Sequence, residues 1–215
     1  MVKCILIAVM IFSFCVSLYA SNPEDFFNRA YVYVQRGYAD EAIAEYTEAL
    51  KNNPDSEMAT RIYYNMGLIY NNTNRSELAI EMFRKTLQIS PELFVVRYNL
   101  ANTLYDMKLY NEAVAEYEHA LVIDPDYSKK LTLYYRIAEA CSIMGNHDKS
   151  IEWAEKIIAV KPSEAAVWQL LAENYFAKKY YKEVEQCLNK LENMGYPQKD
   201  FFQRLQEAQK TENSN

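Results

Sequence analysis

Small and aromatic residues recur along this chain at helical spacing. Ala42, Tyr46 and Ala49 stand at i, i+4 and i+7, as do Ala79, Phe83 and Thr86, and again Ala113, Tyr117 and Ala120, with charged residues between them. Residues so spaced share one face of a helix, so each triplet predicts an amphipathic helix with a narrow apolar stripe. A second helical pattern lies upstream of each, as in "VRYNLANTLYDMKLY" from Val96. Near the end, "QKDFFQRLQEAQK" puts Phe201, Phe202, Leu205 and Ala208 on one stripe opposite charges.

The pattern repeats. "DEAIAEYTEALKNNP" (40–54) and "NEAVAEYEHALVIDP" (111–125) agree at eight of fifteen positions without a gap, 71 residues apart. Pro54, Pro91, Pro125, Pro162 and Pro197 set the frame, at intervals of 37, 34, 37 and 35 residues. Proline ends a helix because its ring removes a donor and clashes with a preceding carbonyl. Two antiparallel helices approach closely only where side chains are small, and a large aromatic one turn on fills the space that remains. The extra three residues before the first helices of repeats two and four are close to one turn, so they can lengthen those helices without rotating the apolar face.

On these residues the chain closely resembles the tetratricopeptide repeat family, whose unit is a helix pair of about 34 residues. Repeat three supplies Leu100, Ala101, Ala113, Tyr117, Ala120 and Pro125; repeat two supplies Tyr63, Met66, Gly67, Tyr70, Ala79, Phe83 and Pro91; repeat one supplies Phe26, Ala30, Tyr33, Ala42, Tyr46, Ala49 and Pro54. Repeat four departs from the pattern at Ser150 and Ala154, with Trp153 beside them, and repeat five at Val184, Leu188 and Leu191. The resemblance implies an all-α, right-handed superhelical array of five antiparallel helix pairs. The repeats occupy about 23–56, 57–93, 94–127, 128–164 and 165–197, followed by a capping helix over 198–210 and a disordered tail over 211–215.

Composition fits that picture: 19 Tyr against four Gly and six Pro leaves few turn residues for a sheet protein. The first 20 residues differ, with Lys3 the single charge before an apolar run from Cys4 to Leu18. They read as a secretory signal cleaved after Ala20, or after Ser17; an uncleaved anchor that tethers the chain to a membrane is the alternative. Beyond residue 20, 29 acidic against 22 basic residues leave a net charge of −7. That argues against nucleic acid, whose binding requires neutralising phosphates. Of the two cysteines left, Cys141 and Cys187, both fall in apolar helical patterns, as buried thiols or as a disulfide.

No chemistry stands out. His119 and His147 have no acid or thiol at ligand spacing, no Gly-rich phosphate loop exists, and the repeats leave no room for a catalytic domain. The expectation is a non-enzymatic chain without cofactor or metal. The resemblance implies a concave groove lined by the first helices. Position 5 of the repeats supplies Phe27, Tyr64, Tyr98, Tyr135 and Gln169; position 9 supplies Tyr31, Leu68, Asn102, Glu139 and Glu173; position 12 of repeat three supplies Tyr105. Tyr offers a large rigid area with a polar tip, suited to a protein or peptide partner, although the same rings can instead pack between helices. Asn65, Asn71, Asn72, Asn99, Asn102 and Arg136 can bond an extended peptide backbone. A carboxylate clamp of the kind some relatives use is not expected, because Tyr64, Leu68, Asn99, Thr132 and Arg136 reproduce two of its five positions. The rival expectation is a structural role in which the chain self-associates. Sequons at Asn71 and Asn74 in "NNTNRS" match glycosylation acceptors.

Overall fold

The computed structural model describes residues 22–213, which form eleven helices and no strand. The expected signal or anchor over residues 1–20 lies outside them. Among the described residues no helix is long and apolar enough to cross a membrane. The chain divides into two compact units, with the boundary between Val96 and Arg97.

The first unit holds α1 (Pro23–Gln35), α2 (Ala39–Lys51), α3 (Ser56–Asn72), α4 (Ser76–Ile89) and the start of α5 (Phe94–Asp106). Asn22 caps α1 by accepting from the Glu24 amide, and Pro23 stands at the first turn, where its missing N–H costs nothing. Asp55 caps α3 by accepting from the Met58 amide at 2.8 Å. Short turns fold α2 back on α1 and α4 back on α3, and α3 packs on α2. Ala42, Ala49 and Ala79 are fully buried at these contacts, and the rings of Tyr46 and Phe83 fill the core beside them. That is the role the small–aromatic–small triplets predict.

The second unit contains the rest of α5, then α6 (Tyr110–Ile123), α7 (Lys130–Ile143), α8 (His147–Val160), α9 (Ala165–Ala177), α10 (Tyr181–Asn193) and α11 (Lys199–Asn213). Each helix from α6 to α11 packs on the next, and α9 also packs on α7. Ala101, Ala113, Ala120 and Tyr117 are fully buried. In repeat four, Ser150 is buried where the earlier repeats carry Ala and Ala154 is buried where they carry an aromatic ring, and Trp153 packs on Tyr134 at 5.0 Å. The Ser150 hydroxyl and Trp153 Nε1 are both buried without a hydrogen-bond partner. Cys141 and Cys187 are buried free thiols, not a disulfide. Burial raises both pKa values, Cys187 to about 12 with the Glu183 charge adding to it.

Two expectations need correction. The three extra residues of repeat two do lengthen a helix, since α3 has 17 residues against 13 for α1. Those of repeat four do not. α7 has 14 residues, and the remainder form turns between Asp124 and Lys130 in which the Tyr127 and Lys130 amides donate to Asp124 and Tyr127. Lys129 and Lys130 stand where a helix N-terminus repels cations, whereas repeat two offers Asp55 and Glu57 there. At the other end α11 runs past Lys210 to Asn213, and the Thr211 hydroxyl donates to the Glu207 carbonyl, so the expected tail is helical that far.

The turn inside each helix pair has one construction. The amides of Tyr38, Arg75, Leu109, Asn146 and Tyr180 donate to the carbonyls of Tyr33, Tyr70, Leu104, Cys141 and Tyr175, five residues back. The residue before each of those amides has positive φ: Gly37, Asn74, Lys108, Gly145 and Lys179. This left-handed helix stop satisfies carbonyls that the helix end leaves open. It turns the chain sharply enough for the second helix to lie against the first.

Candidate functional site

In the first unit, the expected groove residues separate into core and surface. Phe27 is 5% exposed, with its ring 5.5 Å from that of Tyr46 and covered by the Arg61 guanidinium at 4.4 Å. It belongs to the core. Tyr31, one turn on, is 53% exposed. Tyr64 and Leu68 on α3 are half-buried, and the Tyr64 ring leans on Phe83 at 6.2 Å. Asn65 donates through Nδ2 to the Tyr46 hydroxyl at 3.1 Å, so one end of its amide serves the core.

In the second unit, five expected residues converge. Thr132, Tyr135, Arg136 and Glu139 lie at i, i+3, i+4 and i+7, one stripe of α7. From α5, Tyr105 donates its hydroxyl to Glu139 Oε2, and the Arg136 guanidinium stacks on the Tyr105 ring at 4.5 Å. Arg136 Nη1 is 3.9 Å from the same carboxylate. Asn102 Oδ1 accepts from the Tyr117 hydroxyl at 2.6 Å, which gives the buried phenol its partner and fixes the amide's orientation. Tyr98 stands beside Tyr127 at 6.0 Å. Asn102, Tyr105, Tyr135, Arg136 and Glu139 are each half-buried. They combine fixed geometry with access to solvent.

The electrostatics keep the tyrosines neutral. Burial, then the Glu139 bond, pushes the Tyr105 phenol well above its usual range. Burial does the same for Tyr117, and for Tyr135 with help from the Glu139 charge. Burial of Arg136 works against its charge, but the bonds and charges of Tyr105, Tyr117 and Glu139 more than offset it. The stripe thus presents neutral phenols, one cation and one anion. Such a set can bond amides and stack on side chains. Among the described residues no group of three or more His, Cys, Asp or Glu is placed to hold a metal.

Toward the chain end, Glu173 on α9 is held by Arg204 of α11 through both oxygens, at 3.2 and 3.3 Å. Gln169 is exposed. The sequence reading missed this pair, because it treated α11 only as an apolar cover. It also missed the tyrosine–asparagine bonds, which the need of a buried phenol for a partner could have suggested.

Among curated proteins, 106 residues are 32% identical to the uncharacterized protein ycf37 of Cyanophora paradoxa, over 49% of this chain and 62% of that protein. A segment of 87 residues is 34% identical to the photosystem I assembly protein Ycf3 of Acaryochloris marina, over 40% and 52%. Another of 82 residues is 37% identical to the peroxisomal targeting signal receptor of Candida glabrata, over 38% and 13%. The chain thus spans less than two thirds of each of these relatives. Among solved structures, YrrB, a TPR protein with an unusual peptide-binding site, superposes with a TM-score of 0.67 at 17% identity, over 85% of this chain and 91% of that one. MamA of Desulfovibrio magneticus RS-1 gives 0.62 at 20% identity, over 88% and 97%. These likenesses concern the fold, a solenoid of helix pairs. Models of the tetratricopeptide repeat match residues 23–56, 60–93 and 92–163, together more than half of the sequence, and the chain belongs to the tetratricopeptide repeat family.

Proposed function

We propose that the chain is a non-enzymatic scaffold that binds a partner protein or an extended peptide along the groove face of its first helices, in an exported or envelope compartment. The observation that carries the reading is the stripe of Tyr135, Arg136 and Glu139 with Asn102 and Tyr105 beside it. Tyr105, Arg136 and Glu139 are held by contacts with one another and Asn102 is held by the Tyr117 hydroxyl, while all five side chains are half-exposed. Preorganised aromatic and Arg groups bind a partner with little further loss of side-chain entropy. YrrB, whose solved structure is described by its peptide-binding site, supplies an analogy of fold. The compartment rests on the apolar run from Cys4 to Leu18 alone.

Crosslinking in the native cell followed by mass spectrometry tests the reading, since it names partners and reports the N-terminus together. Tyr135→Ala with Arg136→Ala is expected to remove the crosslinked partner while leaving circular dichroism unchanged. Undiminished crosslinking in that variant sinks the groove as the binding face.

A second reading, self-association, is favoured by α1, where Tyr31, Val32 and Val34 are exposed, as is Tyr38 just beyond. On that reading the purified chain is oligomeric by light scattering at micromolar concentration. A clean monomer removes it.

A further inference from the structure

Beside the α7 stripe, the second unit has an open cavity of about 440 Å³ between α7, the end of α8 and the start of α9. Leu131, Ile157 and Val167 form apolar walls, and the Tyr135 ring is shared with the stripe. Lys161 and Glu164 stand at the rim, with Nζ and Oε2 2.5 Å apart. We propose that this cavity seats one large apolar side chain, aliphatic or aromatic, of an extended peptide lying across α7 and α9. The proposal rests on the peptide-binding reading above and names the residue class that the site selects.

Three features choose this occupant. The size is one: at about 440 Å³ the open cavity admits a large side chain together with part of its main chain, whereas an ion or a water would leave most of it unfilled. Charge is another. Lys161 and Glu164 neutralise each other, so a charged guest would lose its water among apolar walls with no counter-charge to receive it. A neutral apolar side chain loses nothing of that kind and gains by leaving water. The third is continuity with polar groups that a peptide backbone needs. The Thr132 hydroxyl lies on the same α7 stripe as Arg136 and Glu139, and Ala166, small and exposed, leaves room for a main chain on the α9 side.

The test is a selection from a pool of randomised nonapeptides on the immobilised full chain, with recovered peptides sequenced by mass spectrometry. The expected result is enrichment of Phe, Leu, Met or Trp at one position by about tenfold over the input, the size expected for burying one such side chain. Ala166→Trp starts from an exposed first-turn position and puts an indole at the cavity mouth. It should abolish that preference while preferences at other positions and the melting temperature stay the same. Recovered peptides without an apolar preference, or with one that survives Ala166→Trp, overturn the cavity proposal and leave the groove reading standing. Recovery of no peptide overturns both. Selection of sequences matching this chain's own segments makes a second copy the occupant and overturns the proposal.

Discussion

The ring of Phe83 on α4 closes so tightly over Gly67 on α3 that a Cβ added at Gly67 would stand 2.6 Å from its nearest ring carbon. Phe83 is fully buried, so the ring cannot swing aside. Gly67→Ala gains about 1 kcal/mol from helix propensity. Overpacking a closed core costs about 1–3 kcal/mol, and with a fixed ring it prevails. The variant is expected to be less stable by about 1 kcal/mol in urea titrations followed by circular dichroism. Phe83→Leu in the same chain should recover part of that loss, because it removes the clash. An additive double variant contradicts this account.

Lys108 and Lys179 occupy the turn position that Gly37 and Gly145 fill elsewhere, with φ of 62° and 61°. A residue with a Cβ is strained there by about 1–2 kcal/mol. Glycine relieves the strain but adds freedom to the unfolded chain, which takes back part of the gain. Lys108→Gly is therefore expected to stabilise by about 0.5–1 kcal/mol. A lower urea midpoint in the variant refutes the strain argument.

The helix frame was legible because its causes are local. Ala42, Tyr46, Ala79, Phe83, Ala113 and Tyr117 announce close helix contacts by size alone, and they are buried. Groove residues were harder to read, because a repeat position says which way a side chain points but not what covers it. Phe27 lacks a polar tip, and Tyr46 and Arg61 cover it, whereas Tyr31 one turn later stays open. Asn65 and Asn102 read as donors for a ligand, yet each has one end of its amide on a core tyrosine. The pairing of Arg204 with Glu173 spans 31 residues and has no local signal at all.

Capping by α11 makes its own prediction. Phe201 and Leu205 are buried in the second unit's core, and the Phe201 ring meets Phe176 edge-on at 5.7 Å. Phe201→Ala is expected to cost about 3–5 kcal/mol and Leu205→Ala about 2–5 kcal/mol. The exposed Arg204–Glu173 pair contributes less, so Arg204→Ala should cost about 1 kcal/mol or less. Both tryptophans, Trp153 and Trp168, lie in the second unit, so their fluorescence reports its unfolding separately. Equal losses for Phe201→Ala and Arg204→Ala would mean that α11 is not held by its apolar face.

Stability should fall at alkaline pH, and the sign follows from which state holds more protons. Burial raises the Cys187 thiol from its usual 9.0 to about 12. It also lifts the phenols of Tyr46, Tyr105, Tyr117, Tyr135 and Tyr175 above their usual 10.0. Below the unfolded values both states are protonated, and these groups leave stability unchanged. As pH rises past 9 the unfolded chain releases protons that the folded chain retains, so unfolding becomes progressively easier. The urea midpoint is expected to stay level from pH 7 to about 8.5 and then decline, the thiol acting first and the phenols from about pH 10. Cys187→Ala removes that thiol's share, so the early part of the decline should become shallower, while the part due to Cys141, whose thiol burial also raises, and the tyrosine part remain. A midpoint that holds level to pH 11, or a Cys187→Ala profile that parallels the original throughout, shows that these groups are not shielded in the fold.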